Sequence, residues 1–199
     1  IRTGGYFRAL NVTMTGVTAV SLGAAITFQT AFEKDADTTM FGTAFCVPGS
    51  VDRLVTAGHA AQIGMWVNDA AGRQHEVRVV WMDTKKDIAL IQATEPLCEL
   101  SPAQWAPKNA TVGTPVWLYG WGGMRPKAIL TTGIISSEVG VSEQNAIVQA
   151  AQLNALGGHS GGAVMNASGQ IIGMLVGGFS AIDEMDVIVP VEVLKKAAK

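Results

Sequence analysis

The sequence is poor in charge and in cysteine. Only 15% of its 199 residues are charged, and 14 Lys and Arg against 16 Asp and Glu leave a formal charge of −2. This balance provides no broad basic surface for nucleic acid or an anionic membrane, so neither is expected as a partner. The two cysteines, Cys46 and Cys98, lie in no CxxC or Cys/His cluster. We therefore expect no zinc site, no disulfide framework and a reducing compartment, the cytoplasm.

Long apolar runs and a recognisable leader are also missing. The longest apolar run lies near Ile171–Val176, far short of the roughly 18 residues that a membrane-spanning helix needs. No membrane segment is expected. The chain opens at Ile1 without a basic region followed by an apolar one, which indicates a processed or excised segment of something longer.

Short apolar and β-branched stretches recur between Gly, Asn, Asp and Pro, whereas helical periodicity is scarce, so the sequence predicts an all-β sandwich or barrel. The predicted strands are Thr43–Val47, Arg53–Thr56, Glu76–Trp81, Ile88–Gln92, Val116–Tyr119, Ala128–Ser136, Ala146–Ala150, Gln170–Val176 and Val187–Val189. A Pro-rich polar stretch between Glu99 and Pro115 predicts a linker between two lobes, residues 1–104 and 105–199. One helix is predicted, over Val191–Lys199, with lysines at its C-terminal pole.

The most informative local pattern is Gly157-Gly158-His159-Ser160-Gly161-Gly162. A serine among glycines permits a tight turn whose amides can approach a substrate. As G-x-S-x-G it resembles the nucleophile elbow of α/β-hydrolases, but there the histidine follows the serine. The three histidines of this chain all precede Ser160, which excludes that interpretation.

The opposite order, His then Asp then Ser, is the one used by chymotrypsin-type proteases. His59 lies in Leu54-Val55-Thr56-Ala57-Gly58-His59-Ala60, and Asp87 lies in Lys86-Asp87-Ile88-Ala89-Leu90. Together with the Ser160 segment these stretches resemble the TAAHC, DIAL and GDSGG segments of the trypsin-like serine proteases. The resemblance extends from about Phe41 to Val191 and includes Gly169–Gly173.

The resemblance implies two six-stranded antiparallel β-barrels with the site between them. It implies that His59 is the general base, that Asp87 orients it and that Ser160 is the nucleophile. The amides of Gly158 and Ser160 would form the oxyanion hole. The implied activity is that of a serine endopeptidase acting on a polypeptide substrate without a cofactor or a metal.

The sequence departs from the secreted members of that family in two places. His159 stands where they carry an Asp that receives a new N-terminal amine, so we expect no activation at Ile1 despite its suggestive start. Ala60 replaces their cysteine, so Cys46 lacks that partner and no disulfide is expected. These losses resemble the polyprotein proteases of sobemoviruses, poleroviruses and astroviruses, partly acting in cis. The alternatives are an HtrA-type cellular protease and a catalytically idle trypsin-like binding module.

By the family's pattern, the primary specificity pocket is predicted from six residues: Asn154, Ala155, Val176, Gly177, Gly178 and Asp186. The two glycines leave the pocket mouth open, and Asp186 would lie near it, so we expect a basic or polar P1 residue. Trp121, between two glycines, is a further candidate for contact with substrate. His75 is expected to be an exposed hairpin residue.

Overall fold

The computed structural model describes residues 26–122, 127–142, 145–178 and 185–199, so Ile1 lies outside the described residues. Most of its regular secondary structure is β-strand. The strands of the first half are β1 (Thr27–Asp35), β2 (Thr38–Cys46), β3 (Arg53–Ala57), β4 (Trp66–Asn68), β5 (Gln74–Asp83) and β6 (Ile88–Ala93). A single 3-10 turn, Gly58–Ala60, follows β3.

These six strands form a closed antiparallel barrel in the order β1-β2-β3-β6-β5-β4. β6 is apolar and buried over most of its length, as expected for a strand at the centre of a barrel wall. The first half of β5 alternates buried and exposed residues, the pattern of a strand with one face on the core and one in water. The interior is filled by large side chains such as Phe45, Leu54 and Ile91, which are fully buried.

The strands of the second half are β7 (Pro115–Gly120), β8 (Ile129–Ile135), β9 (Gly140–Val141), β10 (Ile147–Gln152), β11 (Ala163–Met165), β12 (Ile171–Gly178) and β13 (Asp186–Pro190). Their order is β13-β12-β11-β7-β8-β10-β9, and an added pairing of β13 with β10 closes six of them into a ring with β9 as a short appendage. Helix α1 (Val191–Ala197) follows. Two six-stranded barrels and one short C-terminal helix confirm the expected fold.

The segment between the barrels is attached to both of them. Trp105 packs edge-on against Phe45 of the first barrel, with ring centroids 6.2 Å apart. The same tryptophan bridges to Ile171 at the start of β12, and Ile171 O accepts the Ala106 amide at 2.9 Å. The apolar core of the first barrel continues without a break into Val189 of β13 and Leu194 of α1. The cleft between the barrels is therefore held by packing on both sides of the connection.

The expectation that the chain lacks a disulfide was wrong. Cys46 and Cys98 form one, with their Cα atoms 5.7 Å apart. Cys46 ends β2, and the Cys98 amide donates to Val51 O at 2.7 Å in the turn before β3. The bond spans 52 residues of sequence. Only strand pairing brings its two halves together, so neither a motif nor the family's usual cysteine position could reveal it.

His75 also differs from its expected position. It is 9% exposed, with Nδ1 2.5 Å from Glu95 Oε1 and Nε2 3.4 Å from Asp69 Oδ2. The imidazole packs edge-on against Phe28. The alternation along β5 turns this position toward the barrel interior, and the two carboxylates supply the polar partners that a buried imidazole requires.

No helix within the described ranges is long and apolar enough to cross a bilayer.

The disulfide should contribute measurably to stability. A cross-link closing a loop of this length stabilises the folded state by about 2–4 kcal/mol, mainly by restricting the unfolded chain. We expect reductant to lower the free energy of unfolding in urea by that amount, and Cys98→Ser to give the same decrease without reductant. Two free thiols in the untreated denatured protein, with an unchanged urea midpoint, would contradict the pairing.

Candidate active site

His59 and Asp87 lie at the ends of two paired strands. Ala57, the last residue of β3, pairs with Ile88, the first residue of β6. His59 follows the one strand and Asp87 precedes the other, so the register joins them although 28 residues separate them in sequence. Gly58 keeps the approach open, because a Cβ there would lie 3.0 Å from Asp87 Oδ1.

The Asp87 carboxylate binds His59 through both of its oxygens. Oδ2 lies 2.7 Å from His59 Nδ1, and Oδ1 accepts the His59 backbone amide at 2.8 Å. Asp87 adopts a φ of 55°, in the left-handed region that Asp tolerates better than most residues. The hydrogen bond that His59 donates to the Asp87 carboxylate raises the pKa of His59, and partial burial of the ring opposes this increase. Contact at Nδ1 favours the tautomer that leaves Nε2 free to accept a proton.

Three amides of the turn that carries Ser160, those of Gly157, Gly158 and Ser160, have no acceptor in the described part of the chain. His159 N–H donates to a carbonyl inside the turn at 3.0 Å, and Gly161 N–H donates to a carbonyl of β12 at 2.7 Å. Among the described residues, the amides of Gly158 and Ser160 have no hydrogen-bond acceptor. Gly158 has a φ of +97°, which glycine adopts without steric cost. The turn thus presents two of its free N–H groups on either side of one residue.

The Ser160 turn is attached directly to the first barrel. Thr43 N on β2 donates to Ser160 O at 2.8 Å. A Cβ at Gly42 would lie 2.9 Å from the side chain of Ala60, the residue after the candidate base, and 3.3 Å from Ser160 O. A Cβ at Gly161, where φ is +86°, would lie 2.0 Å from Thr43 O. Both positions therefore require glycine for the barrels to approach this closely.

The structure joins the three predicted catalytic residues unequally. His59 and Asp87 are in direct contact, and the Ser160 turn reaches the end of β3 from which His59 follows: a Cβ at Gly161 would lie 2.9 Å from Ala57 N. No hydrogen bond within the described residues joins Ser160 Oγ to His59. Such contacts are often long without substrate and shorten when the substrate is bound.

His159 is fully buried beneath the turn. Its Nδ1 accepts the Leu156 amide at 3.0 Å, and burial lowers the pKa of its imidazole. The ring lies over Gly122, where a Cβ would be 2.4 Å from Nε2. The side chain therefore serves as a neutral acceptor that closes the turn from below. This neutral contact replaces the carboxylate–ammonium pair expected of secreted relatives.

Trp121 is not available to substrate in this arrangement. It is 4% exposed, and a Cβ at Gly158 would lie 2.4 Å from its carbonyl oxygen. Trp121 therefore supports the Ser160 turn from the second barrel and does not line an open surface.

Part of the predicted specificity pocket lies close to the carboxylate of Asp186. The residues predicted to line the pocket are Asn154, Ala155, Val176, Gly177, Gly178 and Asp186. Asp186 opens β13 opposite Gly178 of β12, and its Oδ2 accepts the Leu153 amide at 3.0 Å. The segment before Asn154 and the end of β12 thus flank Asp186. Burial raises the pKa of Asp186, and the amide contacts oppose this increase. Among the described residues, and apart from its chain neighbours, no atom lies within 4 Å of the position of a Cβ at Gly177.

Sequence reasoning missed Gly42 and Thr43, which attach β2 to the Ser160 turn. One signal was present: a glycine inside a strand pattern often marks a close approach of another backbone. Thr43 carried no such signal, because a buried threonine in a strand is common. Within the described residues no group of three or more His, Cys, Asp or Glu side chains is arranged to hold a metal ion.

Comparison with known proteins places these features in a family context. Residues 42–174 match the profile of the trypsin-like peptidase domain, a span that includes all three candidate catalytic residues. No curated protein matched the chain in sequence.

Solved structures with a similar fold include two bacterial proteases. The Rv3671c protease from M. tuberculosis in its active form superimposes with a TM-score of 0.79 at 18% identity, covering 92% of this chain and 83% of that one. Its inactive form gives a TM-score of 0.75 at 19% identity and 92% coverage of both chains. The serine endoprotease from Yersinia pestis gives 0.77 at 19% identity, covering 90% of this chain and 64% of that one.

The ionic partner of His59 can be tested by titration. We expect the ring protons of His59 to titrate with a midpoint above the usual value of about 6.5, because the Asp87 carboxylate favours the protonated ring. Asp87→Asn should lower the midpoint, measured by NMR on ring-labelled protein. The buried His159 is the internal reference, and its midpoint should be unaffected by the substitution. A His59 midpoint that is the same in both proteins would contradict the assignment.

Proposed function

The chain belongs to the trypsin-like peptidase family and is a serine endopeptidase. We propose that it acts through an acyl-enzyme on Ser160. In this proposal His59 is the base and Asp87 is the acid that orients it. The observation that carries this assignment is the two-point contact of the Asp87 carboxylate with His59, at 2.7 and 2.8 Å. A carboxylate that binds both the ring and the backbone fixes the position and the tautomer of the imidazole together.

The proposed reaction has two halves. Ser160 Oγ attacks the carbonyl carbon of the scissile bond while His59 Nε2 takes the hydroxyl proton. The protonated His59 then gives that proton to the leaving nitrogen, so the C–N bond breaks and the new amine departs with a neutral base left behind. A water molecule repeats the sequence on the ester, releasing the acid and restoring the Ser160 hydroxyl.

Two of the unpaired amides in the Ser160 turn supply the electrostatic part of the mechanism. During each attack the substrate carbonyl oxygen becomes negatively charged, and N–H donors already aimed at it stabilise that charge without reorganising. Gly158 N–H and Ser160 N–H are suited to this role because neither has an acceptor among the described residues. No cofactor or metal is needed for any of these steps.

Between the two biological settings expected from the sequence, we favour a cellular protease of the HtrA kind over a viral polyprotein protease. The resemblance to viral polyprotein proteases rested partly on the absence of disulfides, and Cys46–Cys98 removes that part of its support. The similar bacterial proteases agree with a cellular setting at the level of fold. Because disulfides persist mainly in oxidising compartments, we propose such a compartment in place of the cytoplasm. Cleavage in cis is not required by this assignment.

We further propose that the pocket beside Asp186 selects a basic or polar P1 side chain. The carboxylate lies between the Leu153–Ala155 segment and Gly178, and the open space at Gly177 supports an accessible mouth. An anionic floor would attract a lysine or arginine side chain. Since burial raises the pKa of Asp186, this preference should weaken as the pH falls and the carboxyl becomes protonated.

The catalytic assignment predicts a graded response to substitution. Asp87→Asn should lower kcat by about 10⁴-fold, because the amide favours the wrong tautomer of His59. Wild-type protein should form a stoichiometric adduct with a fluorophosphonate, detected by intact mass, and Ser160→Ala and His59→Ala should form none. Asp83→Asn is a matched control, because Asp83 is a nearby carboxylate that bonds Lys86 and not a histidine.

An unchanged rate in Asp87→Asn would remove Asp87 from the mechanism. Absence of an adduct on folded wild-type protein would instead favour the idle binding module.

The P1 assignment is tested by profiling with a peptide library. We expect kcat/KM for Lys or Arg at P1 to exceed that for Leu, and Asp186→Asn to reduce this ratio by about 10- to 100-fold. The asparagine retains an oxygen for the Leu153 amide, so the rate on the Leu substrate serves as the folding control. A preference for bulky apolar or acidic P1 residues that Asp186→Ala leaves unchanged would contradict the assignment.

A further inference from the structure

The Ser160 turn has little support on its outer side. Gly157 and Gly158 are consecutive glycines, and within the described ranges no atom beyond the chain neighbours lies within 4 Å of the position of a Cβ at Gly157. Leu156, which precedes them, is 47% exposed. Two glycines in succession leave the peptide between them free to rotate. That peptide carries the Gly158 N–H, and its direction is set relative to the next peptide, Gly158–His159, which therefore needs a tether.

The tether is a side chain of the other barrel. Thr43 Oγ1 on β2 donates to Gly158 O at 2.8 Å and accepts the Trp121 amide at 3.0 Å. A threonine hydroxyl has one proton and can donate it only once. Because the Trp121 N–H occupies an acceptor site on this oxygen, the Thr43 proton is directed to Gly158.

The position of Thr43 is itself fixed by burial and by hydrogen bonds of its main chain. It is fully buried, its amide donates to Ser160 O at 2.8 Å, and its carbonyl accepts the Thr56 hydroxyl at 2.7 Å. The peptide that follows Gly158 is bonded at both ends, because the His159 amide donates to Leu156 O at 3.0 Å. One residue of the first barrel therefore holds the carbonyls on both sides of His159.

We propose that Thr43 is a positioning residue for the oxyanion hole. Its hydroxyl holds the Gly158–His159 peptide and its amide holds the Ser160–Gly161 peptide, so the peptide between them, which carries the Ser160 N–H, is held from both sides. The Gly158 N–H belongs to the preceding peptide and is positioned through the Gly158 Cα, which the hydroxyl contact holds in place. The inference rests on the proposed function of Ser160. If Thr43 has this role, both barrels contribute to the oxyanion hole. The second barrel supplies the N–H donors, and the first barrel sets their direction.

The test removes the hydroxyl and keeps the volume. We expect Thr43→Val to lower kcat by about 10- to 100-fold with little change in KM, since losing an oxyanion donor outright costs about 10²- to 10³-fold. Thr43→Ser keeps the hydroxyl and should remain within about five-fold of wild type. Thr27→Val is the matched control, because Thr27 is 3% exposed on the adjacent strand and its Oγ1 has no partner in the described part of the chain.

A readout specific for the oxyanion separates positioning from general damage. A peptide aldehyde, which forms a tetrahedral adduct with the serine, should bind Thr43→Val more weakly by about the same factor as kcat/KM falls. The non-covalent product peptide should bind wild type and variant alike. If Thr43→Val fails to fold, Thr43→Cys, with a weaker donor of similar size, should give an intermediate loss in both measurements.

Three results would overturn the proposal while the wild type remains active: kcat of Thr43→Val within two-fold of wild type, equal losses in Thr43→Val and Thr43→Ser, or equal weakening of aldehyde and product binding. A wild type that forms no fluorophosphonate adduct would instead refute the proposed function on which the inference rests.

Discussion

The active arrangement depends on the main-chain contact between β2 and the turn around Ser160. The base and its carboxylate belong to one barrel and the nucleophile to the other, so no pairing within a single sheet can align them. The Thr43 amide, bonded to Ser160 O at 2.8 Å, provides that alignment. The glycines at positions 42 and 161 let the two backbones approach closely enough for it to form. A side chain at either position would push the barrels apart and so move Ser160 away from His59 and Asp87.

The buried histidine near this contact, His159, remains uncharged, whereas His59 of the catalytic pair can gain a proton. His159 lies beneath the turn as a neutral acceptor, because burial lowers the pKa of its imidazole. His59 is half-exposed and close to a carboxylate, which raises the pKa of its ring. Two histidines of one protein are thus driven in opposite directions by desolvation and by a charged neighbour. Only the second is suited to exchange protons near neutral pH.

Much of this organisation could be predicted from the sequence. The features that could not be predicted share one physical reason. The all-β class and the terminal helix follow from the residue patterns, and the two barrels and the pairing of His59 with Asp87 follow from the resemblance of their segments to the family's motifs. The Cys46–Cys98 bond, the buried position of His75 and the role of Thr43 depend on strand register between distant segments. Register is set by cooperative packing of the whole barrel, and a local pattern in one chain does not carry it.

The continuity of the core into the last helix gives the order of synthesis a consequence. His59 and Asp87 belong to a barrel that is complete in sequence by β6, whereas the Ser160 turn needs a carbonyl of β12 for its Gly161 amide. Leu194 of α1 then returns to the core of the first barrel. A nascent chain therefore contains the segments that carry His59 and Asp87 before it contains the segment that carries Ser160. Because α1 completes the packing of the first barrel, the arrangement of His59, Asp87 and Ser160 described here requires every element from β1 to α1 to be in place.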